Sequence, residues 1–144
     1  MSKYIVDTSV LIDFYCVREN PDSLLKACGG EINVAEKVNK EFFGNCRANL
    51  EWEHGWREFE KDIKKGLVRV LEMGAAEAHE LENIKKYAHM SDQGELESAA
   101  LAITYGFVLL MNDSNARRDF LGSGIKILGS DWVAKASKSN RGRR

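Results

Sequence analysis

Four acidic residues stand where an α/β protein can put them to chemical use: Asp7, Glu41, Glu95 and Asp113. Asp7 ends the apolar run Tyr4-Ile5-Val6, and Asp113 closes Leu110-Met111-Asn112-Asp113 behind another. Glu95 falls in the first turn of a helix opened by Ser91-Asp92-Gln93-Gly94, and Glu41 lies well inside the helix that follows Ile32-Asn33-Val34. In open parallel sheets, ligands sit beyond the carboxyl ends of the strands. Right-handed crossovers would carry these four elements to one such edge. Carboxylates gathered there repel one another unless a cation lies among them. Hard divalent ions such as Mg²⁺ or Mn²⁺ prefer carboxylate and water oxygens and leave positions for a substrate phosphate. Two ions about 4 Å apart can activate a water and stabilise the leaving oxygen of a phosphodiester in an in-line displacement. Each acid also has an ordinary structural use, as a helix cap (Asp7), a first-turn residue (Glu95), a turn residue (Asp113) or solvated helix surface (Glu41). The joint pattern, not any single residue, points to chemistry.

The elements that must position these acids alternate between short β-rich runs and helical segments, the pattern of an α/β domain with a mainly parallel sheet. The expected strands are 4–6, 31–34, 67–71, 107–111 and 125–128. The first and fourth are continuously apolar, as strands covered on both faces are, and belong in the middle. A helix over 9–15 opens after Asp7-Thr8, another starts at Ser23 and ends at Gly29-Gly30, and a third begins at 91–95. Its buried stripe is expected to be Leu96, Ala99, Ala100 and Ile103, with Gly106 ending it. The stretch 45–65 carries Trp52, Trp56 and Phe59 at helical spacing, which fits core or a subunit contact better than a base-stacking platform.

A chain of 144 residues, 44% of them hydrophobic, is sized for one compact domain. No apolar stretch approaches the roughly 20 residues of a membrane helix, so no membrane partner is expected. The opening residues lack the order of a signal peptide, so a cytoplasmic location is expected. Cys16, Cys28 and Cys46 form no C-x-x-C pair, and His54, His79 and His89 no ligand pair, which argues against disulfides and zinc. Charge is uneven. The segment 135–144 holds five basic residues and no acid, leaving 16 basic against 22 acidic residues elsewhere. We divide the chain into a domain over 1–134 and a basic tail over 135–144, either a frayed solubilising end or a polyanion contact.

Four segments resemble PIN-domain proteins, the nuclease family that includes the VapC-type toxins of toxin–antitoxin pairs. Tyr4-Ile5-Val6-Asp7-Thr8-Ser9-Val10-Leu11-Ile12 is similar to the family's first strand and helix start; the resemblance implies a metal ligand at Asp7 with Thr8 or Ser9 as supporting hydroxyl. The segment from Ile32 to Phe42 resembles the family's strand and helix that carry a second acid, assigned to Glu41 ahead of Glu36. Gly94-Glu95-Leu96-Glu97-Ser98-Ala99 resembles the G-E-x-x-A form of the third motif, with Glu95 in place of the aspartate common in toxins. Leu109-Leu110-Met111-Asn112-Asp113-Ser114-Asn115-Ala116-Arg117 is similar to apolar-D-D-x-x-A-R, with Asn112 replacing the first aspartate. Arg117 then contacts phosphate or pairs with a carboxylate. The resemblance implies a three-layer α/β/α sandwich, Mg²⁺- or Mn²⁺-dependent endoribonuclease activity at Asp7, Glu41, Glu95 and Asp113, and frequent homodimers. Many members are held inactive by a small antitoxin protein.

Two phosphate-handling rivals fail on their own motifs. Haloacid-dehalogenase-type phosphatases need Asp-x-Asp after the first strand, where this chain reads Asp7-Thr8-Ser9, and a receiver domain needs an acceptor aspartate where it reads Leu71-Glu72-Met73-Gly74. The remaining alternative is a PIN-like scaffold that binds RNA or a protein without cutting, for which Glu95 and Asn112 leave room.

Overall fold

The computed structural model describes residues 2–141. Five strands form one sheet in the order β3-β2-β1-β4-β5: β1 Tyr4–Val6, β2 Ile32–Ala35, β3 Val68–Leu71, β4 Val108–Leu110 and β5 Ile127–Leu128. Every pairing is parallel. All five coincide with runs expected from the sequence, trimmed or shifted by a residue or two at their ends. The apolar β1 and β4 lie side by side in the interior, with Ile5 opposite Leu109 and Val6 opposite Leu110. Because the chain leaves β1 toward β2 on one side and has β4 on the other, the strand order reverses beside β1. Crevices at such switch points are where open α/β sheets take ligands.

Among the described residues, eight α-helices connect and flank the strands: α1 Thr8–Leu11, α2 Pro21–Ala27, α3 Glu36–Ala48, α4 Glu53–Lys64, α5 Ala75–Lys85, α6 Gln93–Tyr105, α7 Ser114–Asp119 and α8 Ser130–Arg141. α6 packs across β1, β2 and β4 with α3 and α5 beside it, while α2 pairs with α8, which also reaches β5. The result is a three-layer α/β/α sandwich. Among the described residues no helix is long and apolar enough to cross a membrane.

Several helices differ from the sequence expectation for identifiable reasons. α1 opens at Thr8, and beyond Leu11 the chain continues as a π-helical segment, Ile12–Val17. Phe14, Tyr15 and Cys16 are consecutive and all buried, because α4 and α2 both pack on this segment. The next helix begins not at Ser23 but at Pro21, behind Asn20, whose side chain accepts the Ser23 N–H at 3.3 Å. Proline is preorganised for that first helical position. α6 ends where expected, at a left-handed Gly106 with φ 71°. Its buried surface is wider than one stripe. Ser98, Leu101 and Ala102 are buried as well, whereas Ile103 is only half-buried.

The aromatic stretch is largely core. Phe59 is fully buried, Trp52 and Trp56 pack on the same cluster, and Phe42, Trp56, Phe59 and Tyr15 meet ring to ring at centroid distances of 5.0 to 6.1 Å. The three cysteines are free and buried. The basic run set apart as a tail is helical as far as Arg141, where it forms the second half of α8; residues 142–144 lie outside the described residues.

Candidate active site

Strand β1 delivers Asp7 directly to the sheet's carboxyl edge. Its backbone N–H donates to the Leu110 carbonyl at 2.9 Å, which continues the β1–β4 pairing by one residue and fixes Asp7 beside the chain leaving β4. Thr8 and Ser9 then tie the start of α1 to both neighbours. Thr8 Oγ1 donates to Glu41 Oε2 at 3.1 Å, and Ser9 Oγ accepts the Asn112 N–H at 3.2 Å. Glu41 is thus held by α3 next to the residue that follows Asp7.

The amino end of α6 supplies more acid than the sequence reading assigned to it. Asp92 and Glu95 cap each other: Glu95 N–H donates to Asp92 Oδ1 at 2.8 Å, and Asp92 N–H donates to Glu95 Oε1 at 2.9 Å. This is the reciprocal capping box that satisfies two otherwise unpaired backbone donors. The same loop is fastened to α7, because Asp119 Oδ2 accepts the Met90 N–H at 2.7 Å and the Ser91 hydroxyl at 2.8 Å. At the other end of α7, Asp113 Oδ1 accepts the Ala116 N–H at 3.0 Å as the helix cap. Asp113 is exposed, whereas Asp7 is 4% and Glu95 5% exposed.

The acids act on one another through their charges. Burial, then the charges of Glu95 and Asp92, push the Asp7 carboxyl up to about 8, with Glu41 adding a smaller push. Burial raises Glu95 to about 7; the Asp92 amide pulls it back, while Asp92, Asp113 and Glu41 push it further up. Glu41 is also raised, first by partial burial and then by Asp92, against the pull of Thr8, Lys37 and the Gly94 amide. Like charges and desolvation act in the same direction at all three carboxyls. Asp92 acts on each of them. The sequence contains a signal for its geometry, Asp-x-x-Glu ahead of an apolar run, but that signal names a helix cap. Asp119 is joined to Met90 and Ser91 only by the fold.

The donor set fits a hard divalent cation in chemistry. It consists of carboxylate oxygens, and Asp7 Oδ1 is buried without a hydrogen-bond partner among the described residues. A buried acceptor left unpaired is costly unless something else engages it. Among the described residues, no three His, Cys, Asp or Glu side chains converge closely enough to ligate one ion as they stand. Glu95 and Asp113 each have one oxygen engaged by a backbone amide, which leaves the second oxygen outside those bonds.

The remaining expected residues serve other ends. Asn112 ties the start of α8 to the end of β4: its Oδ1 accepts the Ser130 N–H at 2.8 Å, and its Nδ2 donates to Ser130 Oγ at 2.7 Å. Arg117 reaches the Ile127 carbonyl at 3.4 Å, and among the described residues it forms no ion pair with a carboxylate. Glu36 faces outward to Lys40 at 3.2 Å, apart from the acids.

No family model matches this chain, and no curated protein sequence matches it. Among solved structures it is similar to the crystal structure of VapBC2 from Rickettsia felis bound to a DNA fragment from their promoter. The TM-score is 0.66, with 15% sequence identity over 88% of this chain and 97% of that chain. At that identity the likeness is one of fold. The five-stranded parallel sheet flanked by helices is PIN-like.

Proposed function

We propose that this chain is a metal-dependent endoribonuclease whose site is formed by Asp7, Glu41, Glu95 and Asp113, and that it acts as the toxin of a toxin–antitoxin pair in the cytoplasm. The observation that carries this reading is the buried, unpartnered Oδ1 of Asp7, set among Glu95, Asp92 and Glu41 at a switch point of a PIN-like sheet. Asp7, Glu41, Glu95 and Asp113 would hold Mg²⁺ or Mn²⁺. When bound, such an ion supplies charge neutralisation and an activated water at a phosphodiester. The chain's own part is to orient. Thr8 steadies Glu41, Ser9 and Asn112 fix the ends of β1 and β4, and the capping box with its Asp119 latch holds Glu95. The open edge leaves Asp113 exposed for a polymeric substrate to approach.

A small antitoxin protein is proposed as partner, because the similar structure is of a complex named VapBC2, and a homodimer is proposed from the family resemblance. The test of function is cleavage of single-stranded RNA with Mg²⁺ or Mn²⁺ by the wild type and by Asp7→Asn. We expect metal-dependent cleavage that falls at least about a hundredfold in the variant, the upper range for loss of groups around a metal. Undiminished cleavage by Asp7→Asn removes Asp7 from the mechanism. RNA binding in EDTA with no cleavage by either protein selects the non-catalytic scaffold instead.

A further inference from the structure

Gly94 occupies the second position of α6, a regular helical site whose φ is not among the chain's positive values. The backbone there does not require glycine, and alanine is the better helix former. Local conformation therefore gives no reason for the residue. Its surroundings do. A Cβ built at position 94 would lie 2.6 Å from Glu41 Oε1, 2.7 Å from Oε2 and 2.8 Å from Cδ, and these are its three nearest neighbours. The carboxylate of Glu41 occupies the space that any other side chain would claim.

We infer that Gly94 is a positioning residue whose missing side chain seats the Glu41 carboxylate against the amino end of α6, beside Asp92 and Glu95. The inference rests on the proposed ion-binding role of these acids for its consequence, but not for its geometry. Two contacts define the seat. Thr8 Oγ1 grips Oε2 from α1, and the buried Gly94 backbone closes in from α6, where its own N–H and the helix dipole favour a carboxylate. Glu41 thereby bridges α1, α3 and α6, which converge on Asp7. The obstructing atoms are the far end of a flexible side chain, not backbone. A methyl group at position 94 is therefore expected to displace Glu41 without unfolding the helix.

The test compares the wild type, G94A, E41Q and the double variant without metal and with Mn²⁺. G94A is expected to melt no lower than the wild type, since alanine favours the helix. A crystal structure of metal-free G94A should show the Glu41 carboxylate shifted by roughly 1 Å or more, the shortfall from ordinary contact distance. Mn²⁺ affinity by calorimetry should weaken about tenfold, as for loss of a supporting group. On the E41Q background the same substitution should change affinity by less than about twofold, because coupled residues are non-additive. If G94A does not fold, combining it with E41A, which removes the obstructing carboxylate, is expected to restore folding, and a double variant that stays unfolded overturns the inference. A Glu41 carboxylate that stays in place, or unchanged Mn²⁺ affinity in G94A, overturns the inference. A wild type that binds no Mn²⁺ instead removes the functional reading, and the position of Glu41 in G94A still decides the seat.

Discussion

Asp7 concentrates the energetic conflict of the molecule in one side chain. It is buried, lacks a hydrogen-bond partner at Oδ1 among the described residues, and is surrounded by acids, so its carboxyl holds a proton up to a pH of about 8. In the unfolded chain that proton leaves near the ordinary aspartate value, roughly 4. Between these limits the folded state binds more protons than the unfolded state, so stability falls as pH rises. Glu95, raised to about 7, adds to the fall in the same direction. We therefore expect the metal-free protein to be more resistant to urea at pH 5 than at pH 8. Asp7→Asn, which removes the charge, should match the wild type near pH 5 and exceed it at pH 8 by on the order of 2 kcal/mol or more. Equal stability of the two proteins at pH 8 would show that Asp7 is not held in a hostile environment. Asp7 was legible in the sequence because a strand ended on it. The paired effect of Asp92 was not, because its spacing to Glu95 already had a sufficient explanation as a cap.

At the scale of elements, the same edge is built from helix starts. Asp113 caps α7, Asp92 and Glu95 cap α6 reciprocally, and Asp119 ties the entry of α6 back to α7. The capping function can be separated from the charge. Asp92→Asn keeps a good capping side chain, whereas Asp92→Ala loses it, so Ala is expected to be less stable than Asn by about 1 kcal/mol in urea unfolding. No difference between them would mean that the box does not support α6. Strands were readable because β-branched and apolar runs alternate with turn residues, and the left-handed Gly106 ended α6 as expected. The π-helical segment Ile12–Val17 was not readable. Its burial comes from two helices packing on it from different parts of the chain, and no local periodicity encodes that. The continuation of α8 through the basic run was likewise masked, because helical propensity in Lys135 to Ser139 is weaker as a signal than charge.

At the scale of the whole molecule, a mostly apolar interior holds a sheet whose carboxyl edge carries the charge. The aromatic group of Tyr15, Phe42, Trp56 and Phe59 joins the π-helical segment, α3 and α4, and Tyr15 donates to the buried Asp62 at 2.6 Å. α3 also carries Glu41, so this packing fixes the base from which Glu41 reaches the edge. Phe59→Ala should cost roughly 3–5 kcal/mol by chemical denaturation, the range for emptying a buried aromatic site. A loss below about 1 kcal/mol would place Phe59 outside the core. Their continuous apolar runs marked β1 and β4 as interior strands, whereas the rest of the order β3-β2-β1-β4-β5 was not readable from the sequence. Which oxygens turn inward was beyond the sequence, because caps, hydroxyls and a missing methyl at Gly94 decide it side chain by side chain.

We propose that these carboxylates form a divalent-cation site. It is tested most directly by crystals of the protein grown with Mn²⁺ and measured for anomalous scattering. We expect a strong Mn²⁺ peak bonded to Asp7 Oδ1, with oxygens of Glu41, Glu95 or Asp113 turned toward it. Peaks confined to other parts of the surface, with Asp7 Oδ1 still without a partner, would contradict it.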